Sequence, residues 1–217
     1  MFHEPTRRQI LQTISAMGLA LFLPGLRLAA QPAAIQRHPR RGDPDWPTET
    51  DWQQLKARVQ GRLMEPSPVA ATAENARNPF FLEDQPGGTQ SRGWLRAWES
   101  TPSAYAVAAE SAQDVAAAVD FARQHRLRIV VKGTGHDYLG RSCGPDSLLV
   151  WTHGMRAVES HDRFIPQRAP ASVQGVPALS VSAGTRWLEA YGEATTNKGR
   201  YVQGGGCGSV GACGGFI

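Results

Sequence analysis

Residues 130–142 read Val130-Val131-Lys132-Gly133-Thr134-Gly135-His136-Asp137-Tyr138-Leu139-Gly140-Arg141-Ser142. They join the end of an apolar run typical of a β-strand, residues 127–131, to a glycine-rich turn with a single histidine, His136. Glycine adopts backbone angles that other residues avoid, and it lets successive amide N–H groups point at one anion. The pattern therefore predicts a diphosphate cradle that carries a reactive imidazole. Because Gly-Thr-Gly also makes ordinary tight turns, a plain turn histidine is the alternative.

The residues before this turn predict a strand–helix–strand unit. Residues 105–109 form a strand candidate, and Ser111 with Asp114 three positions later matches a capping box that starts a helix. This helix runs to about His125, and its predicted inner face consists of Val115, Val119 and Ala122. In open α/β sheets ligands bind at the carboxyl ends of the strands, which is where the glycine turn lies.

The residues after the turn alternate between short strands and one further helix. Three β-type runs predict strands, at residues 147–152, 156–160 and 178–182, and a loop covers 167–177. A helix opens at residues 184–185 and ends at Gly199, with an inner face of Trp187, Leu188 and Tyr191. Residues 201–202 predict one more short strand, which leads into a second glycine-rich stretch.

That second stretch, residues 203–215, places Cys207 between glycines, in the run Gly205-Gly206-Cys207-Gly208. The two glycine turns thus each carry one nucleophilic side chain and each follow a predicted strand. If their strands belong to neighbouring sub-domains, the turns face one ligand. An imidazole nitrogen and a thiolate are the side chains best suited to add to an electron-poor ring. The alternative for Cys207 is a small buried residue that serves packing alone.

The N-terminus has the features of an export segment. Residues 6–12 contain the pair Arg7-Arg8, and a modest apolar run follows over 14–23. A membrane span needs about 20 apolar residues, so this run is too short to cross a bilayer. We expect a twin-arginine signal peptide over 1–34, cleaved between 30 and 34, and a periplasmic or secreted protein handled by the twin-arginine export machinery. A chance arginine pair before a buried helix is the alternative.

Charge and cysteine content argue against a nucleic-acid-binding surface and against a zinc site. The net charge is +4 with a sequence pI of about 9.2, but much of the basic surplus precedes Arg62, which argues against a nucleic-acid surface. The three cysteines include no Cys-x-x-Cys pair, so no zinc site is predicted. Cys143 and Cys213 are expected to be structural, unreactive or disulfide-paired. A small molecule is the expected substrate.

The region between leader and strand unit is read as a linker followed by a helical and irregular segment. Residues 31–47 are rich in proline and arginine and predict an exposed linker. Residues 51–63 predict a helix with Trp52, Leu55, Val59 and Leu63 on one face. An aromatic set is expected to cover the edge of the core, namely Phe80, Phe81, Trp94 and Trp98.

From about Asn78 onward the chain resembles the FAD-linked oxidases with a vanillyl-alcohol-oxidase (PCMH-type) FAD-binding domain, in the berberine-bridge-enzyme-like branch. The resemblance rests on an ordered series of motifs, namely Asn78-Pro79-Phe80, Asp84-Gln85-Pro86-Gly87, the strand–helix–strand of residues 105–131, Gly133-Thr134-Gly135-His136-Asp137-Tyr138, Ser147-Leu148-Leu149-Val150-Trp151, Val181-Ser182-Ala183-Gly184 and Gly205-Gly206-Cys207-Gly208-Ser209-Val210-Gly211. A series of this length is much more specific than either glycine turn alone.

The resemblance implies an α+β fold of two small α/β sub-domains that clasp FAD. It implies that His136 is bonded to the 8α-methyl of the flavin, and that Cys207 matches a cysteine which some members bond to flavin C6. The chemistry implied is hydride transfer from a substrate C–H bond to flavin N5, followed by reoxidation, commonly by dioxygen. The implied cofactor-binding residues are Lys132, Gly133, Thr134, Gly135, His136, Asp137, Tyr138, Leu139, Gly140, Ser142, Gly206, Cys207, Gly208, Ser209, Val210 and Gly211.

The chain also departs from the family pattern. The branch often has a second glycine where Thr134 stands, and Ala212-Cys213-Gly214-Gly215 differs from the usual continuation of the second loop. We expect a division into 1–34, 35–98 and an FAD-binding domain over 99–217 that is incomplete at its C-terminus. The substrate domain and the general base are expected beyond Ile217. A non-catalytic remnant, or an FAD-binding module without activity, is the alternative to an active enzyme.

Overall fold

The computed structural model describes residues 37–69, 72, 75, 78, 80–90 and 101–214. The predicted export segment, Trp94, Trp98 and the residues after 214 lie outside the described part. All elements given below belong to the unit that begins at His38. None of the helices in the described part has the length and apolarity that crossing a bilayer requires.

Three short α-helices and six strands make up the described part of the chain. The helices are α1 (Glu49–Arg58), α2 (Ala112–Gln124) and α3 (Trp187–Tyr191), which continues as a π-helical segment, Gly192–Asn197. The strands are β1 (Leu63–Met64), β2 (Tyr105–Ala108), β3 (Arg128–Lys132), β4 (Ser147–Trp151), β5 (Val158–Phe164) and β6 (Val176–Val181). The predicted order of elements from 105 to 197 is therefore confirmed, with boundaries shifted by at most four residues.

The first sheet places the carboxyl ends of three strands side by side. Its order is β1-β2-β4-β3, with β2 and β3 both parallel to β4 and β1 antiparallel to β2. Ala108 and Lys132 both pair with Trp151, so β2, β3 and β4 end at the same edge of the sheet. Every residue of the central strand β4 is buried, which explains its unbroken apolar sequence. The glycine turn after β3 leaves from this edge.

Helix α2 starts as its sequence predicts but presents a different face. The Ser111 hydroxyl accepts from the Asp114 N–H and the Asp114 carboxylate accepts from the Ser111 N–H, so the capping box is confirmed. The predicted inner face is wrong at Val119, which is 45% exposed. The helix is rotated to bury Phe121, whose ring lies 4.8 Å from that of Trp52, together with Ala117, Ala118 and Ala122. Burial of the larger aromatic surface decides the rotation.

The second sheet is an antiparallel pair, β5 and β6, with α3 packed beside it. Trp187 and Ala190 are buried there with Ala212, whereas Leu188 is 54% exposed, so its predicted inward position is wrong. Gly199 has φ +60 directly after the π-helical segment and ends the helix as predicted. The predicted strand at 201–202 is wrong, because no strand in the described part pairs with it.

Residues 38–62 pack on the first sheet through a buried set of side chains on α1. Trp52, Leu55 and Val59 are buried, as predicted, but Leu63 lies in β1 and pairs with Val107. The helix ends earlier than predicted because Gln60 and Gly61 adopt positive φ. The described part of the predicted linker is mostly exposed, yet Pro39 and Pro47 are buried and Trp46 packs against Trp52, so the prediction of a wholly exposed linker is wrong.

Together these elements form the α+β fold that the sequence predicted, with two small sub-domains built on separate sheets. The first contains β1–β4, α1 and α2; the second contains β5, β6 and α3. Thr152 follows β4 and joins the two. Its N–H donates to the Lys132 carbonyl, and its hydroxyl donates to the Ala183 carbonyl at 3.2 Å.

Asp114 links α2 to the loop before β1 and provides a test of this packing. Its buried carboxylate accepts from Arg62 at 2.7 Å as well as from Ser111. Burial raises its pKa, but hydrogen bonds from Glu110, Ser111 and Arg62 outweigh burial and hold the pKa of this carboxyl below its usual range. We expect Asp114→Ala to lower the free energy of unfolding in urea by about 3 kcal/mol, because Arg62 and the helix N-terminus lose their partner.

The control is Asp120→Ala on the same helix, whose ion pairs with Arg58 and Arg123 are long and half exposed. It should cost less than about 1 kcal/mol. Because the folded pKa of Asp114 is depressed, its contribution is present above the unfolded pKa and is lost as the pH falls through the folded value. Equal effects of the two variants at neutral pH would contradict the assigned role of Asp114.

Candidate functional site

The first glycine loop, residues 133–142, leaves the shared edge of β2, β3 and β4. Gly135 has φ +83, and a Cβ there would lie 2.8 Å from the Lys132 Cε and 3.3 Å from the Gly88 carbonyl oxygen. Only glycine avoids both the backbone strain and this contact. The Asp137 carboxylate closes the loop by accepting from the Ser142 N–H at 2.6 Å and the Leu139 N–H at 3.1 Å. The loop that follows β3 therefore carries His136 away from the shared edge of the three strands.

His136 is half-buried and held on both ring nitrogens. Its Nδ1 lies 2.8 Å from the Gln90 Oε1, and its Nε2 lies 2.9 Å from the Ser209 hydroxyl. Because an amide oxygen only accepts, Nδ1 carries the proton and Nε2 accepts from Ser209. Burial lowers the pKa of the imidazole below its usual value. The ring is therefore fixed in one orientation, as a neutral base with its lone pair toward the second loop.

Cys207 reaches the same serine from the second loop. The thiol is exposed, and its sulfur lies 3.2 Å from the Ser209 hydroxyl oxygen. The Ser209 hydroxyl, the Ser209 N–H and the Val210 N–H lower the pKa of the Cys207 thiol, against a smaller opposing effect of burial. The predicted convergence of the two glycine turns is thus found in the structure, although the second turn follows no paired strand.

Thr134 joins the backbones of the two loops. Its buried hydroxyl accepts from the Gly211 N–H at 3.0 Å. Gly211 also forms an isolated antiparallel bridge with Arg186 at the start of α3. The residue that replaces the second glycine of the family pattern therefore supplies a contact that glycine cannot make.

Lys132, which the resemblance implies is a cofactor-binding residue, lies buried next to the glycine loop. It is 1% exposed, and its ammonium group donates to the Leu82 carbonyl at 2.8 Å and to the Gln85 carbonyl. Burial lowers its pKa to about 8, with opposing contributions from Cys143, Glu83 and Asp84. The ammonium group supports the turn at residues 82–85 from beneath the glycine loop.

Gln90 is a site residue that the sequence interpretation missed. Its N–H donates to the Gly135 carbonyl at 3.0 Å, and its side chain contacts His136. It lies in the irregular segment that was assigned to the region before the FAD-binding domain. The usable signal was its position two residues after Gly87-Gly88, close to the motif at residues 84–87.

A buried ion cluster attaches this segment to the second sub-domain. The Glu83 carboxylate is 3% exposed and lies 2.8 Å from Arg186 and 3.3 Å from Arg156. Burial raises the pKa of Glu83, against the effect of the two guanidinium groups. Arg186 also pairs with Glu189 at 2.9 Å. The segment at residues 80–90 is thus anchored to β3 through Lys132 and to α3 through Glu83.

Several hydrogen-bond donors around the loops have no protein acceptor in the described part of the chain. These are the buried hydroxyl of Ser142, the N–H groups of Thr134, Gly135 and His136, and those of Gly206, Cys207 and Gly208. A Cβ on Gly206 would meet no atom within 4 Å. Clustered amides and a buried hydroxyl without an acceptor suit an anionic ligand such as a diphosphate.

The remaining cysteines lie outside this donor set. Cys143, Cys207 and Cys213 are all free, so the disulfide alternative is wrong. Burial raises the pKa of both the Cys143 and the Cys213 thiol, which lowers the share of reactive thiolate at each. Within the described residues no three histidine, cysteine or acidic side chains are placed to hold a metal ion.

A family model described as an FAD-binding domain matches residues 102–217, which is more than half of the chain. The chain belongs to this family. The resemblance to FAD-linked oxidases drawn from the sequence motifs is therefore confirmed. The matched region contains both glycine loops, with His136 and Cys207.

Curated relatives and solved structures agree with this family. An uncharacterized FAD-linked oxidoreductase of Arthroderma benhamiae is 34% identical over 88% of this chain and 40% of the relative. The FAD-linked oxidoreductase asqF of Emericella nidulans is 32% identical over 79% of this chain and 36% of the relative. The chain thus spans 40% or less of the length of these two relatives.

Two fungal flavoproteins share the fold. The VAO-type flavoprotein MtVAO615 of Myceliophthora thermophila is 28% identical, with a TM-score of 0.65 over 80% of this chain and 36% of that chain. MtVAO713 of the same fungus is 24% identical, with a TM-score of 0.70 over 82% of this chain and 36% of that chain. The second likeness supports the fold alone.

Lys132 gives a prediction with a defined pH dependence. Between its folded pKa of about 8 and the ordinary value of 10.5, the folded chain binds fewer protons than the unfolded chain. Stability therefore increases with pH across this range, by about 3 kcal/mol from Lys132. We expect Lys132→Met to remove this increase in denaturant unfolding measured from pH 7.5 to pH 10.5.

The control is Lys56→Met on the exposed face of α1, which should keep the wild-type pH dependence. If Lys132→Met retains the full increase between pH 8 and 10.5, the ammonium group is not the buried donor described here.

Proposed function

We propose that this chain is the FAD-binding part of an exported FAD-dependent oxidoreductase that takes a hydride from an alcohol- or carbohydrate-type C–H bond. The observation that carries the proposal is the convergence of His136 and Cys207 on Ser209, which brings the two glycine loops together. Membership of the FAD-binding family supports the choice of cofactor.

The residues at the junction of the two loops suit the anionic diphosphate of FAD. The unpaired N–H groups of residues 134–136 and the Ser142 hydroxyl would hold the diphosphate, and residues 206–211 would lie along the flavin ring. Asp137 holds this loop closed, while Tyr138 and Leu139 are more than half exposed and available for contact. Lys132 supports the loop from below and is not a phosphate ligand in this proposal.

His136 would be bonded through a ring nitrogen to the 8α-methyl carbon of the flavin, and Cys207 through sulfur to flavin C6. The attachment at His136 would replace a methyl C–H and an imidazole N–H by one C–N bond, and that at Cys207 would replace a ring C–H and the thiol S–H by one C–S bond. Each attachment would need dioxygen to take up two electrons and two protons as hydrogen peroxide. Fixed orientation of both nucleophiles favours these additions.

FAD, when bound, supplies hydride acceptance at N5 and reoxidation by dioxygen. The chain's own contribution is to hold the cofactor and to orient it through the two loops. A small molecule is the proposed substrate, and we assign no general base to the described residues. Because the chain spans 40% or less of its curated relatives, an FAD-binding module without turnover is the second candidate. Bound flavin without substrate oxidation would favour that candidate.

Replacement of the anchors tests the proposal. We expect His136→Ala to abolish or greatly reduce covalent flavin, and Cys207→Ala to remove any second attachment while leaving single attachment intact. The measurement is flavin absorbance of acid-precipitated protein, together with the mass of the intact chain. His161→Ala is the matched control, because that imidazole lies on β5 and contacts Ser180. It should leave covalent flavin unchanged.

Two results would contradict the assignment. A colourless pellet from well-expressed wild-type protein would exclude covalent FAD. Retention of flavin by His136→Ala in denaturant, at the wild-type level, would exclude His136 as the anchor.

Export through the twin-arginine pathway is proposed from Arg7-Arg8 and the short apolar run after them. We expect Arg7→Lys with Arg8→Lys to retain the protein in the cytoplasm, because the export receptor requires both guanidinium groups. Cell fractionation and immunoblotting measure the yield in the periplasm or medium. A reasonable control is Arg37→Lys, outside the leader. Normal export of the double variant would refute the leader assignment.

A further inference from the structure

One serine side chain connects the two nucleophiles of the site. The Ser209 hydroxyl oxygen lies 2.9 Å from the His136 Nε2 and 3.2 Å from the Cys207 sulfur. Ser209 is 2% exposed, although Cys207 two residues earlier is exposed. A hydroxyl both donates one hydrogen bond and accepts others, so it is suited to link an acid and a base.

The directions of these hydrogen bonds follow from Gln90. Its Oε1 requires a proton on the His136 Nδ1, which leaves the Nε2 lone pair to accept from the Ser209 hydroxyl. The oxygen of that hydroxyl is then free to accept from the Cys207 thiol. Hydrogen bonds therefore run from the Cys207 thiol to the Ser209 hydroxyl and from that hydroxyl to the His136 imidazole.

We propose that Ser209 is a positioning residue that relays a proton from Cys207 to His136 and so presents Cys207 as a thiolate. In the relay the thiol proton moves to the Ser209 oxygen while the hydroxyl proton moves to the His136 Nε2. No electrons are exchanged and the net charge is unchanged. The products are a thiolate, which accepts from the hydroxyl, and an imidazolium, which donates to it. This inference rests on the proposed function, in which both side chains attach FAD.

The fold holds the serine for this role. The Val210 N–H donates to the Cys207 carbonyl at 3.2 Å, and the Val210 carbonyl accepts from the Trp187 N–H at 2.9 Å. The turn therefore cannot swing Ser209 away without breaking its attachment to α3. The Ser209 hydroxyl and the backbone N–H groups of Ser209 and Val210 also lower the pKa of the Cys207 thiol.

The relay is isolated from other charges. The causes of the pKa shifts of Cys207 and His136 include no charged side chain of the described residues. On the neighbouring helix, Arg186 and Glu189 pair with each other and with the Glu83 cluster. Ser209 is therefore the group whose removal should change the reactivity of Cys207 most.

The test measures thiol reactivity in the full chain purified without flavin. Each cysteine is alkylated with iodoacetamide across pH 5 to 10 and quantified by peptide mass spectrometry. We expect Ser209→Ala to reduce the alkylation rate of Cys207 at pH 7 about tenfold, which corresponds to a rise of about one unit in its pKa. Ser209→Thr, which keeps the hydroxyl, should restore most of the rate.

His136→Phe is the second variant, because it removes the proton acceptor and leaves in place the Ser209 hydroxyl that is hydrogen-bonded to the Cys207 sulfur. It should also slow alkylation of Cys207, by less than Ser209→Ala does. Cys213 is the internal control, since its thiol donates to the Val181 and Ser182 carbonyls and should react equally in all variants. Thermal unfolding of each variant confirms that it is folded.

The outcomes separate the relay from the proposed function. An unchanged Cys207 rate in Ser209→Ala, or in His136→Phe, overturns the relay. A parallel change at Cys213 overturns it as well, because the effect is then structural. Because the assay contains no flavin, the relay is upheld or rejected on these rates alone. Absence of covalent flavin in the wild-type chain instead rejects the proposed function.

Discussion

Hydroxyl hydrogen bonds between the two glycine loops are the constraint on which the site depends. Thr134 receives the Gly211 N–H, and Ser209 contacts the His136 imidazole. The two loops belong to separate sub-domains, each with its own sheet and core, and these hydrogen bonds join them. With them, an imidazole from the first sub-domain and a thiol from the second face one space. Both contacts use small polar side chains, which leave the glycine backbone open to a flat ligand.

The segment at residues 80–90 is the support that keeps this junction closed. Lys132 holds it from the first sub-domain and Glu83 attaches it to α3 of the second. Burying an ammonium group and a carboxylate is costly, as the shifted pKa of each group indicates. The cost is offset by several charge-assisted hydrogen bonds, which fix geometry better than apolar contacts do. Gln90, at the end of this segment, is thereby held against His136.

The strand–helix–strand unit could be predicted because its signals are local: an alternating or continuous apolar run, a capping box and a glycine turn. The wrong predictions concern choices made by tertiary contact. Val119 and Leu188 are apolar and correctly spaced, but aromatic Phe121 and Trp187 take the buried positions beside them. The run at 201–202 has strand-forming residues without a partner strand in the described part. The burial of Lys132 could not be predicted, because the sequence gives no sign of the carbonyls that receive its ammonium group.

The sequence named the two nucleophiles, together with Thr134 and Ser209, but it gave no sign of the hydrogen bonds that orient them and did not indicate Gln90. A histidine or cysteine in a glycine loop is recognisable, because few other side chains perform its chemistry. Gln90, Thr134 and Ser209 act through hydrogen bonds whose partners lie far along the chain, so their roles exist only after folding. Thr134 is an example, since in the sequence it is only a departure from the glycine that the family branch often has at this position. In the folded chain it gains the contact to Gly211, and the departure from the pattern becomes a means of joining the two loops.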